Sequence, residues 1–127
     1  MSQPFVLLDA AGVIAIHERV VLPNELQGMA RDKSLEAVLE RVHNRLHYGF
    51  IHDAFDLTAC YGAFIGKGRC FIDANKRTAA SAVFITLHLN GLVAAFADVA
   101  LGDWIIDLVT DRRSENEFAD WLRGLQK

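Results

Sequence analysis

Residues 74–91 read ANKRTAASAVFITLHLNG. From Ala74 to Asn90 the run is rich in Ala, Val, Ile and Leu and carries few charges, the composition of a helix buried on most of its faces. Asn90-Gly91 closes it, because glycine accepts the left-handed backbone that ends helices. This run predicts a central helix, and the segments on either side keep the same period. Toward the N-terminus, Asp53 or Asp56 opens a helix that turns Leu57, Tyr61, Phe64 and Ile65 inward, with Gly66 and Gly68 expected to stop it. Leu35, Val38, Leu39, Val42 and Leu46 step by three and four, predicting a helix that ends near Tyr48-Gly49. Asp9 caps a first helix carrying Val13, Ile16 and Val20, which Pro23 and Asn24 break. Toward the C-terminus, Leu92 to Phe96 is too short to classify. Asp98 is expected to cap a helix with Trp104, Ile105 and Leu108, and Ser114 with Glu117 forms the capping box of another, which buries Phe118, Trp121, Leu122 and Leu125. No clear polar-apolar alternation appears, so the expected fold is all-α, a compact bundle of about six helices in one domain over residues 1–127.

Composition agrees with a folded chain. Hydrophobic residues make up 52% of the 127, with only 9 Gly and 2 Pro, which excludes low-complexity and disordered classes. Lys plus Arg number 13 against 16 Asp plus Glu, a net charge of -3 that gives no global attraction to nucleic acid or anionic lipid. No direct nucleic-acid binding and no membrane association are expected. The longest apolar stretches fall short of the ~20 residues that span a bilayer, and no signal peptide is recognised. The two cysteines, Cys60 and Cys70, form neither a CxxC pair nor a disulfide framework, so the expected location is the cytoplasm.

Chemistry concentrates in residues 66–78, GKGRCFIDANKRT, a glycine-flanked loop entering the central helix. Lys76 and Arg77 fall in the first turn, where the helix dipole disfavours each cation by ~0.3–1 kcal/mol unless an anion compensates. Backbone N–H groups at such an end, joined by Lys76, Arg77 and the Asn75 amide, suit phosphate oxygens. Asp73 is positioned either to cap the helix, to hold a divalent cation on those oxygens, or to do both. Phe71 and Ile72 read as core anchors of the loop.

The stretch FIDANKRTA resembles the signature of the Fic/Doc family, H-x-F-x-[DE]-[AG]-N-[GK]-R, and its NKR ending resembles the Doc branch. Similarity extends through AIHE (15–18), LQGM (26–29), DAFDLTACYGAFI (53–65) and LHLNG (87–91). The resemblance implies an all-helical Fic/Doc fold. It implies that Asn75 helps form an anion hole, that Lys76 and Arg77 grip nucleotide phosphates, and that Asp73 stands at the acidic position linked to Mg²⁺. Most Fic proteins transfer AMP to a protein hydroxyl. The Doc branch transfers the terminal phosphate of ATP to a threonine of elongation factor Tu, halting translation, and is held in check by an antitoxin whose helical tail fills a groove over the active site. The lysine at position 76 favours phosphate transfer, since most Fic proteins carry glycine there. No self-inhibitory [ST]-x-x-x-E-[GN] helix occurs, so control is expected from a separate chain.

The chain departs from the family pattern at one position. Counting back two from Phe71 puts Arg69 where the family has the histidine that takes the proton from the attacking hydroxyl. An arginine stays protonated at neutral pH and has no lone pair to accept that proton, and loss of a general base typically costs ~10²- to 10⁴-fold in rate. Arg69 is either an inactivating change from a parent histidine, which the joint presence of Asp73, Asn75, Lys76 and Arg77 favours, or the mark of a pseudoenzyme that kept nucleotide or antitoxin binding. His17, His43, His47, His52 and His88 all lie outside the loop in sequence.

Three other signals are rejected. Gly62 to Gly68 has one residue too few for a phosphate-binding P-loop and lacks Ser/Thr after Lys67. His43 and His47 are one helical turn apart but lack the glutamate and third ligand of a zinc site. Cys70, beside Arg69, has no histidine partner at a known nucleophile spacing.

Overall fold

Side-chain caps at Asp9, Ser34, Asp53 and Ser114 mark helix starts. The structure, a computed structural model, describes residues 4–93, 95–96 and 98–126. Helix α1 (Ala10–Val20) begins where the Asp9 carboxylate accepts from the Gly12 N–H at 2.8 Å, satisfying one of the first-turn donors that have no helical acceptor. Ser34 does the same for α2 (Leu35–His47) through the Ala37 N–H at 3.1 Å, and Asp53 for α3 (Ala54–Gly68) through the Asp56 N–H at 2.8 Å. Gly49 and Gly91, at φ of 82° and 75°, carry the chain away from α2 and from α4 (Asn75–Leu89). Helix α5 spans Asp98–Val109, and α6 (Glu115–Gly124) opens on the reciprocal Ser114–Glu117 capping box. Among the described residues the expected all-α architecture of about six helices is therefore the observed one, with six formed.

Two helices form the centre. Helix α3 packs against α2, α4, α5 and α6, and α4 also packs on α1 and α5. The surface they share is apolar and closed: Leu57, Tyr61, Ile65, Val83 and Leu87 are buried, and so are Ile105, Leu108, Phe118 and Leu122 on the outer helices. Trp104, Phe118 and Trp121 stack with ring centroids 5.4–5.9 Å apart, pinning α6 to α5. Buried polar groups are satisfied within this core. The hydroxyls of Thr58, Thr78 and Thr86 each donate to the carbonyl four residues back at 2.7 Å, and the Tyr61 hydroxyl accepts from the Leu8 N–H at 2.9 Å.

The structure corrects several boundaries. Gly66 and Gly68 do not stop α3 but lie inside it. A Cβ would meet Val109 at 2.8 Å from Gly66 and Val38 at 2.9 Å from Gly68, so these glycines serve close packing. The chain leaves α3 instead at Arg69, in the left-handed conformation with φ 49°. Asp73 does not cap α4: Ala74 stands at the cap position with φ 67° and no side-chain cap forms. Asp98 is the first residue of α5 rather than its cap, and the preceding position, 97, lies outside the described residues. Of the unclassified stretch, Leu92, Val93, Ala95 and Phe96 are irregular and Ala94 lies outside the described residues. Phe71 is a buried anchor as expected, whereas Ile72 is 46% exposed. Among the described residues no strand forms, only a bridge between Met29 and Phe71, and no helix is long and apolar enough to cross a membrane.

Candidate functional site

The turn at Arg69 places residues 69–77 around the open start of α4. Three elements hold this short loop from behind. The α1–α2 connection pairs with it, the Ala30 N–H donating to Cys70 O at 2.8 Å and the Ile72 N–H to Gly28 O at 3.1 Å. His17 of α1 stacks on the Phe71 ring with centroids 3.9 Å apart, and its Nε2 meets the Asp73 carbonyl at 2.8 Å. Asn75 closes the loop on itself through the backbone of Phe71.

In front of the loop lies a cavity of about 400 Å³, lined by Arg69, Asp73, Asn75, Lys76 and Arg77 together with Glu25. The structure thus brings every expected site residue to one place. The first backbone bond of α4 runs from the Thr78 N–H to Ala74 O at 2.9 Å, which leaves the N–H groups of Asn75, Lys76 and Arg77 without a helical acceptor. Arg69 and Lys76 are exposed and have no ion-pair partner among the described residues. Free donors and free cations converging on one cavity favour a polyanion.

The individual roles differ from those the loop sequence suggests. Asp73 turns one carboxylate oxygen to the Leu26 N–H at 2.8 Å, tying down the α1–α2 connection. Among the described residues no group of three or more His, Cys, Asp or Glu is placed to hold a metal. The Asn75 amide is engaged with the loop backbone. Arg77 donates to both carboxylate oxygens of Glu25, at 2.7 and 3.2 Å, and to Val20 O at 2.9 Å. The Arg77 hydrogen bonds hold the Glu25 carboxyl below the usual carboxylate range.

Glu25 and His17 are site residues that sequence reasoning missed. His17 lies outside the loop in sequence but directly beneath it in space. A carbonyl only accepts, so Nε2 of His17 carries the proton in this contact and offers no lone pair there for a base. Cys70 is buried, and burial pushes its thiol up, against the activation that a neighbouring arginine suggests. His43 meets the Tyr61 hydroxyl at 2.6 Å.

No family model matches the chain. The protein kinase Doc of Escherichia phage P1 is 35% identical to it over 114 residues, covering 89% of this chain and 90% of that protein. With identity at that level across nearly the whole of both sequences, and with an all-α fold of six helices among the described residues, the chain belongs to the Doc-like family.

Proposed function

We propose that this chain is a Doc-like toxin whose cavity at the start of α4 takes the triphosphate of ATP, with Mg²⁺ on Asp73. The observation that carries this reading is the convergence of unpaired Arg69 and Lys76 with the free N–H groups of α4 on one cavity. Transfer in the family sense joins a threonine oxygen of elongation factor Tu to the terminal phosphorus and breaks that phosphorus's bond to the bridging oxygen, releasing ADP. The hydroxyl proton passes to a base. Phosphoryl transfer asks the protein mainly to position groups and neutralise charge, which Lys76, Arg77 and the α4 donors supply. Arg69 supplies charge without a base, so this chain binds nucleotide and transfers poorly.

The experiment is reversion, Arg69→His, followed by incubation with elongation factor Tu and ATP labelled at the γ-phosphate. Label on a threonine of the factor supports the kinase reading; label transferred only from the α-phosphate replaces it with AMP transfer. For an antitoxin tail we propose the apolar groove of about 510 Å³ between α1 and α4, walled by Leu8, Ile16, Ile85 and Leu89. That groove includes Val20, whose carbonyl accepts from Arg77, so it adjoins the cavity. Expression of the Arg69→His chain without a partner is expected to arrest growth in the cytoplasm of the host cell.

A further inference from the structure

Of the three cations around the cavity, Arg77 is the one already engaged. Its NH1 and NH2 groups grip the Glu25 carboxylate as a two-pronged fork, and NH1 also donates to Val20 O. A phosphate seeking the same edge of the guanidinium meets a carboxylate of like charge. Glu25 is itself fastened locally, its Oε1 accepting from the Leu22 N–H at 2.8 Å while its own N–H donates to Leu22 O at 2.9 Å.

Resting on the reading of this cavity as a nucleotide site, we propose that Glu25 is an internal competitor for Arg77 that sets the affinity of the site for polyphosphate. Binding at Arg77 requires the carboxylate to withdraw or to stay beside the phosphate as an uncompensated like charge. Either course weakens binding. Withdrawal also releases the Leu22 N–H from the Glu25 carboxylate, coupling ligand entry to the connection between α1 and α2, which Asp73 holds at Leu26.

The test is calorimetric titration of the chain as it stands, Arg69 included, with ATP and with inorganic triphosphate in the absence of Mg²⁺. Glu25→Gln is expected to tighten both by about tenfold, the scale of one charge-assisted hydrogen bond released to the ligand. Glu25→Ala is expected to act in the same direction. In an Arg77→Gln background the Glu25 substitution is expected to lose its effect, a coupling that a merely structural role would not produce. Unchanged or weaker binding by folded Glu25→Gln, while the unsubstituted chain binds, overturns the competitor and leaves the nucleotide site standing. Weakening seen only with Mg²⁺ present also overturns it, by making Glu25 a metal ligand. If none of the chains binds either probe, the nucleotide reading falls and the competitor with it.

Discussion

Asn75 and Phe71 form a closed ring: the Asn75 Oδ1 accepts from the Phe71 N–H at 3.0 Å and its Nδ2 donates to the Phe71 carbonyl at 2.8 Å. The amide of the first α4 residue therefore shapes the loop that precedes it. Asn75→Ala removes both partners and is expected to cost about 2 kcal/mol of stability, read by denaturant unfolding. Asn75→Asp keeps the acceptor but sets a negative charge against a carbonyl, so it should destabilise as well and, on the proposed reading of the cavity, weaken ATP binding. Unchanged unfolding midpoints for both variants would show that the ring carries no weight.

Ala74 adopts φ 67° at the start of α4. A left-handed conformation costs an L-residue roughly 1–2 kcal/mol; glycine escapes that cost but gives back part of the gain in the freedom it loses on folding. Ala74→Gly should raise the melting temperature slightly, while the β-branched Ala74→Val should lower it by several degrees.

Arg123 joins α6 to the start of α3, meeting Asp53 at 2.9 Å and Asp56 at 2.9 Å. Burial raises the Asp53 carboxyl, but the Arg123 hydrogen bonds and charge, together with the backbone N–H groups of Asp56 and Phe55, outweigh it and hold the group below its ordinary 3.8. A depressed folded value means that the contribution is present above the unfolded value and is lost as pH falls through the folded one. Arg123→Gln should therefore lower stability by about 1 kcal/mol near neutral pH, given the exposure of the pair. The gap between variant and parent should narrow below about pH 4 in thermal melts.

Both cysteines are free and buried, and burial pushes the Cys60 thiol to about 12. Thiol-reactive reagents at mildly alkaline pH should label neither residue in the folded chain and both after denaturation. Rapid labelling of native Cys70 would contradict its burial within the loop.

Local signals were readable where they act locally. Asp9, Asp53, Ser114 with Glu117, Gly49 and Gly91 mark helix ends because each acts within a few residues of itself. Gly66 and Gly68 misled because their role is set by Val109 and Val38, distant in sequence. Asp73 has the residue type of a cap, yet its carboxylate serves Leu26, 47 positions away. The cationic cluster of the site is contiguous and so was visible. Glu25, 52 positions from Arg77, and His17, 56 from Asp73, carry no local mark of the partners they meet.

Arg69 ends α3 in a left-handed turn with its side chain exposed at the rim of the cavity. Nothing in the hydrophobic interior depends on what that side chain is. On the proposed reading, chemical power at this position is thereby uncoupled from architectural integrity: a single replacement silences or restores turnover while the scaffold, and the surface its partners grasp, passes unaltered from one version to the other.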